Sequence, residues 1–374
     1  MSETPKFKDY FGIALAHRLA GDLQAQSPCF DAPRFVERIA ASVDPLELKG
    51  RVALFSTALR EHLPPTYPEA LDVLAGILGP ELPAEAGMFD LGFHLMPVAH
   101  FVEVYGSTEP DHFERSLQMI NAITRRHTGE FAIRPYLIHY PDRTLPVLRQ
   151  WASDPNTHVR RLVSEGSRPR LPWASQIPAF IKDPSPIFAL LELLKDDPSP
   201  YVRKSVANNL NDITKDHPEQ VLAVVARWQT DASPERRWII RHALRTLIKR
   251  GDPAALQVLT IDRPQVALVQ FSIAPATLQL GESLMLDCTL QSTAAHAQNL
   301  VIDYVVHHVR ANGSTGPKVF KLRNATIGGG EQLTIQKRHP MRLITTRRYY
   351  PGLHRIELQV NGEIVGEAAF TLQV

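Results

Sequence analysis

Three carboxylates and one tryptophan carry the chemistry this sequence can offer. Glu165 lies in VRRLVSEGSRPRLPW, Asp212 in VRKSVANNLNDITKDHPE and Glu130 in TGEFAIRPYL, while Trp173 closes SRPRLPW. Carboxylates held near one another can stabilise developing positive charge and orient a water. An indole can offer its negative π face to a cation. Each residue also has a purely structural reading. Glu165 is four residues from Arg161 and Asp212 three from Lys215, the spacing of surface ion pairs of little energetic consequence. Glu130 follows Thr128 and Gly129 at what reads as a helix start, where the dipole favours an acid. Two prolines keep residues 170–173 out of ordinary helix, so Trp173 either plugs a gap between repeats or is presented from a constrained loop beside Arg168 and Arg170. Trp151, Trp228 and Trp238 fall in predicted helices and read as core.

The elements that must position these residues repeat. DPNTHVRRLVSEGSR (154–168), DPSPYVRKSVANNLN (197–211) and DASPERRWIIRHALR (231–245) align without gaps, with starts 43 and 34 residues apart. Each opens on an Asp able to cap the coming helix. Stacked helical hairpins of this length form solenoids of the HEAT or armadillo kind, which bury one face and line a concave surface with the other. Glu165 aligns with Asn208 and His242, so three polar mid-helix residues are expected on the concave side. Within VRKSVANNLNDITKDHPE the apolar stripe is Val202, Val206, Leu210 and Ile213. The opposite face carries Lys204, Asn208, Asn211, Asp212 and Lys215, and Asn208 and Asn211 are expected to frame Asp212.

Helical spacing runs from residue 7 to about 259, and period-two alternation follows it. About seven strands in the remaining 110 or so residues fit a small immunoglobulin-like sandwich without the Cys…Trp…Cys signature. The expected architecture is therefore an all-α HEAT-like repeat solenoid, residues 1–259, followed by an all-β Ig-like sandwich, residues 266–374. TIDRPQ (260–265) is the expected linker. Two distant cysteines, Cys29 and Cys288, support neither a disulfide framework nor a zinc site. With no apolar run of transmembrane length and no secretory segment, a reducing intracellular compartment is the default.

A formal charge of +2 conceals segregation. Residues 318–355 hold nine Lys and Arg against one acid, Glu331, and residues 227–250 hold seven against Asp231 and Glu235. Two basic runs on an otherwise acidic chain point to a polyanionic partner, against the alternative of solvated faces and strand edges.

SEGSRPRLPW, YVRKSVANNLNDITKDHP and TGEFAIRPYL resemble signature segments of the AlkC-type DNA alkylation repair glycosylases, and the resemblance covers residues 1 to about 255. It implies that Glu130, Glu165 and Asp212 are active-site carboxylates, that Trp173 contacts the base, and that no metal or cofactor is needed. A base alkylated to a cation already leaves easily, so fixed negative charge near the deoxyribose and an oriented water suffice. The implied substrates are 3-methyladenine and related bases such as 3-methylcytosine in duplex DNA, attacked without base flipping by a monomer in the bacterial cytoplasm with the nucleoid. Arg168, Arg170, Lys204, Arg237 and Arg241 would then hold phosphates. Lys337, Arg338, Arg347 and Arg348 would let the sandwich grip DNA, with Tyr349 and Tyr350 packing in a strand in preference to contacting a base. A non-catalytic HEAT-repeat scaffold that binds an acidic protein or nucleic acid is the competing reading.

Overall fold

The structure, a computed structural model, describes residues 6–84, 92–345 and 347–374. Helices α1 (Ile13–Gln26), α2 (Ala32–Ala40), α3 (Leu48–His62), α4 (Tyr67–Gly76), α5 (Met96–Tyr105), α6 (Phe113–Thr124), α7 (Arg134–His139) and α8 (Pro141–Trp151) come first. They are followed by α9 (Thr157–Gly166), α10 (Pro178–Lys182), α11 (Ser185–Leu194), α12 (Pro200–Ile213), α13 (Pro218–Gln229), α14 (Pro234–Ala243), α15 (Arg245–Lys249) and α16 (Pro253–Val258). By compactness the chain divides into one unit running through Pro218 with Ser233–Ala243 added, and a second joining Glu219–Ala232 to Leu244–Val374.

In the first unit the three aligned segments become α9, α12 and α14, and α12 packs against both of the others. Their starts share one local device, but the opening Asp is not the cap. Asn156 accepts the N–H of His158 and Val159, Ser199 that of Tyr201, and the Ser233 hydroxyl that of Arg236. Each cap lies two residues beyond the repeat's Asp, and Asp154 and Asp197 instead accept the backbone N–H of the cap residue itself. Arg160 and Arg203, at matching positions, reach back to the carbonyls of the Asp and Pro of their own repeats. The turn is thus held from both sides before the helix begins.

The apolar stripe of α12 is buried as its spacing requires: Val202, Val206, Leu210 and Ile213 are at most 1% exposed. Each stabilises the stack by about 2 kcal/mol. The asparagines do something other than frame Asp212. Asn209, fully buried, donates to the Ser164 carbonyl and to the Ser167 hydroxyl at the end of α9. Asn211 donates to the Ala243 carbonyl at the end of α14. Side-chain amides therefore take up helix-end carbonyls of the repeats on both sides, which water cannot reach. Asn208 is only half-buried. Trp228 is core, but Trp238 departs from expectation: it is 44% exposed on α14, stacked on His242 at 4.8 Å.

The second unit holds α13 beyond Pro218, α15, α16 and eight strands, one strand more than the spacing suggests. They are β1 (Val266–Ala274), β2 (Thr277–Gln279), β3 (Ser283–Ser292), β4 (Gln298–Val309), β5 (Thr315–Ile327), β6 (Gln332–Pro340), β7 (Gly352–Val360) and β8 (Glu363–Gln373). They form two sheets, β1-β3-β6 and β2-β8-β7-β4-β5, and the extra strand, β2, is a short edge running parallel to β8. Along β3 the alternate residues Leu284, Leu286, Cys288 and Leu290 are buried, the pattern of a sandwich face. Cys288 is a free, buried thiol and Cys29 a free, exposed one. Asn361 and Gly362 both take positive φ in the turn between β7 and β8, the conformation that favours Asn-Gly there. Residues 260–265 are fastened to this unit: the Asp262 carbonyl accepts from Asn361, and Arg263 pairs with Glu363 at 2.5 Å. Tyr349 is buried in the sandwich core beside Met341, in the segment between β6 and β7 rather than in a strand.

Replacing Asn209 by Ala leaves the Ser164 carbonyl and Ser167 hydroxyl short of a donor. It is expected to lower unfolding free energy by about 1–3 kcal/mol in urea titration, whereas Lys204→Ala, on the exposed face, stays within about 0.5 kcal/mol.

Candidate active site

The predicted carboxylates converge on the first unit's α9–α12 interface, tied together by two arginines. Glu130 sits in the turn before α7, where Thr128 donates to its carboxylate at 3.1 Å. Arg161, from the middle of α9, donates to Glu130 Oε2 at 2.5 Å and approaches Glu165 Oε1 to 3.6 Å. One turn on, Glu165 Oε1 accepts from Arg168 at 2.6 Å, and its Oε2 accepts from the Ser205 hydroxyl of α12 at 2.6 Å. Arg168 Nε donates to Asp212 Oδ2 at 2.8 Å, and Lys215 donates to Asp212 Oδ1 at 3.0 Å. The result is an alternating series, Glu130–Arg161–Glu165–Arg168–Asp212, whose five members are all buried. Gly166 lets the series close: a Cβ there would stand 2.5 Å from Ile133 Cγ2, against the turn that carries Glu130.

These are not the exposed i, i+4 pairs that the spacing alone allows. Burial disfavours the Glu165 anion, yet the adjacent Arg161 and Arg168 guanidiniums and the Ser205 hydrogen bond outweigh it and hold the carboxyl below its ordinary range. Both arginines are likewise held protonated against burial by the carboxylates around them. Glu165 is therefore an anion at neutral pH and no proton donor. The arrangement suits stabilisation of a cation and orientation of a water.

Trp173 is presented from the loop that follows α9. Its φ is +68° and it is 61% exposed, so it does not plug a gap between repeats. The loop is held by Arg134, almost fully buried at the start of α7. Its guanidinium donates to the carbonyls of Gly166 (2.9 Å), Arg168 (2.7 Å) and Ser175 (2.8 Å). Burial lowers its pKa to about 10, which leaves it charged. Lys49 on α3 donates to the Trp173 carbonyl at 2.5 Å. A cavity of about 280 Å³ is lined by Glu130, Arg161, Glu165, Arg168, Phe131 and Trp173. Asp212 is not on its wall and reaches it through Arg168.

The cationic candidates separate. Arg168 is not available to a phosphate, because burial places it between Glu165 and Asp212. Arg170 forms a two-bond pair with Asp216. Lys204, Arg237 and Arg241 lie exposed on α12 and α14. In the second unit, Lys337 and Arg338 are exposed on β6, Arg348 is exposed, and Arg347 contacts the buried His308. Burial, with Arg347 beside it, holds that imidazole neutral, with a pKa lowered to about 3. Sequence reasoning missed Arg134, Lys49 and Ser205. Only Arg134 left a signal, a lone cation in the apolar run FAIRPYL.

The model for the DNA alkylation repair enzyme family matches residues 102–247, and that for the C-terminal Ig-like domain of the uncharacterised protein YhaZ matches 267–374. The chain is 36% identical over 359 residues to the uncharacterised protein YhaZ of Bacillus subtilis (strain 168), covering 96% of each. Among solved structures it resembles the Pseudomonas fluorescens alkylpurine DNA glycosylase AlkC bound to DNA containing an abasic site analogue. The TM-score is 0.91 and the identity 40%, over 99% of this chain and 100% of that one.

Two outcomes test the site's construction. Because the Glu165 carboxyl is held below its ordinary value of 4.5 in the folded state, the stability it contributes is present above that pH and lost as pH falls through the folded value. The stability gap between wild type and Glu165→Gln is therefore expected to narrow below about pH 4.5; a constant gap across urea titrations from pH 7 to 3.5 would contradict the ionised assignment. Arg134→Ala is expected to cost about 3 kcal/mol by thermal unfolding. Arg134→Lys recovers only part of that, because an ammonium cannot serve carbonyls 166, 168 and 175 together.

Proposed function

The chain belongs to the AlkC-type DNA alkylation repair enzymes that carry a C-terminal Ig-like domain, and we propose that it is a DNA glycosylase excising cationic N-alkylated bases from duplex DNA. The observation that carries this reading is the convergence of Glu130, Glu165 and Trp173 on one cavity, with both carboxylates immobilised by arginine and Glu165 held ionised. 3-Methyladenine is the foremost substrate, and 3-methylcytosine fits the same logic.

In such a substrate the C1′–N bond breaks with its electron pair returning to the base nitrogen, which neutralises the base. Positive charge is left on the deoxyribose, and water oxygen bonds to C1′. Glu130 and Glu165 stabilise that charge and orient the water, one of them receives the water's proton, and Asp212 supports them through Arg168. Fixing them by hydrogen bonds removes the cost of reorganisation as the charge develops. The Trp173 indole faces the cationic base and sugar, which favours alkylated over ordinary bases. Because the base itself is charged, the enzyme needs neither a strong general acid nor a metal. Presentation of Trp173 on an exposed loop supports contact with a base that remains in the duplex.

Residues 1–259 act in this reading as the glycosylase domain and 266–374 as a DNA-contacting accessory. Lys204, Arg237 and Arg241 hold phosphates on the first, while Lys337, Arg338 and Arg348 do so on the second. Arg168 and Arg347 serve by positioning their neighbours, and Arg170 is shared with Asp216. The protein works as a monomer on DNA inside the bacterial cell. Among the described residues no helix is long and apolar enough to cross a membrane.

Purified protein incubated with methylated genomic DNA in EDTA is expected to release 3-methyladenine, resolved by chromatography. Asp212→Asn and Glu165→Gln are expected to slow release at least about 100-fold, with DNA affinity within a few-fold of wild type. No base above a buffer control would overturn the enzyme reading in favour of a non-catalytic DNA-binding scaffold.

A further inference from the structure

A second cavity, of about 220 Å³, lies behind the Trp173 loop and contains none of the three carboxylates. It shares Leu48, Met96, His127, Phe131 and Trp173 with the cavity that does. From its walls and the polar groups it presents we propose that it is a subsite for the excised purine base, which passes there along the shared wall. The proposal rests on the glycosylase reading.

Size is the first consideration. A buried apolar cavity of roughly 150 Å³ holds benzene, and about half as much again accommodates a bicyclic purine but not a nucleotide. Surface chemistry is the second. Leu48 and Val52 of α3 and the Phe131 ring offer apolar and aromatic contact for a flat heterocycle, as does the indole of Trp173.

Polar groups are the third. His100 and Glu103 both project from α5, three residues apart and so on one face of the helix. The His100 Nδ1 atom is buried and has no hydrogen-bond partner. Glu103 is ionisable and close enough to Lys49 and Arg134 to feel both charges. Burial pushes the Glu103 carboxyl up, against the opposing pull of Lys49 and Arg134, and pushes the His100 imidazole down. Together they supply an acceptor and an imidazole nitrogen able to donate. That pair matches the edge of an adenine-type base, an exocyclic amine beside a ring nitrogen acceptor. Neither group is used by the mechanism derived above, and a buried imidazole nitrogen without a partner is costly unless something completes it.

Lys49 lines the second cavity alone but fastens Trp173, which both cavities share. Its ammonium lines the second cavity and holds the Trp173 carbonyl, so the residue dividing the cavities is fastened by its backbone while its indole remains exposed. In this proposal a base cut loose beside Glu165 leaves the abasic sugar along the wall that the two cavities share.

Free 3-methyladenine and adenine, titrated against the full chain and followed by ligand-observed NMR, are expected to bind saturably, and thymine is not. His100→Ala and Glu103→Gln are each expected to weaken that binding at least fivefold. Binding indifferent to both substitutions would place the base elsewhere and overturn the subsite. Should the variants not fold, the His100 ring nitrogens of wild-type protein serve instead: they must shift with base concentration, and unchanged signals overturn the proposal. Base release from methylated DNA is measured on the same preparation. Release without saturable binding removes the subsite and leaves the glycosylase reading standing, whereas absence of release removes both.

Discussion

The alternating series Glu130–Arg161–Glu165–Arg168–Asp212 is the constraint on which the rest of this protein depends. Buried charges are tolerated only when each is paired and hydrogen-bonded, and removing one partner strands the other in a poor solvent. Here the pairing runs through three separate segments: the turn before α7, the length of α9 with the residues just beyond it, and α12. The series therefore specifies register. Sliding α9 by one turn against α12 would separate Glu165 from Ser205 and Arg168 from Asp212 together. The asparagine ties from α12 to the ends of α9 and α14 impose the same register from the backbone side.

The proposed chemistry draws on the same register. Three acids gathered without cations would repel one another, and one or more would take up a proton. Arginines between them hold the acids in place and keep the Glu165 carboxyl below its ordinary range, so in the proposed reaction negative charge is oriented before any substrate arrives. Their cost is partial neutralisation of the field. Asp212, off the cavity wall, contributes through the orientation it gives Arg168.

A different force holds Trp173. Its left-handed φ is one that a non-glycine residue adopts only when its surroundings enforce it, at about 1–3 kcal/mol. Arg134 and Lys49 enforce it by hydrogen bonds to main-chain carbonyls alone. Carbonyls belong to every residue, so the identity of residues 166–175 carries little trace of this clamp. Only the cation at 134 shows in the sequence, and nothing there says what it binds.

Periodicity made the two architectures legible: the three aligned helices do stack, and the period-two region does form two sheets. Glu130, Glu165, Trp173 and Asp212 were recognisable as a set because long motifs resemble one family; spacing alone left each with an ordinary structural explanation. Errors arose where short-range signals compete. The repeat's Asp looks like a cap, but the Asn or Ser two residues later is the cap. Arg168 looks like a phosphate ligand because it follows a helix beside other cations, and burial makes it a ligand of carboxylates instead. Trp238 looks like core by its helical setting, and α14 turns it outward. In each case the residue type allowed two settings, and for Arg168 a partner 44 residues away chose between them. Sequence by itself determined which helices repeat, where strands begin and which acids were candidates, because those follow from local spacing and composition. Tertiary structure alone decided which charge faces which, because a buried ion's partner is set by whatever the packing brings within 3 Å of it.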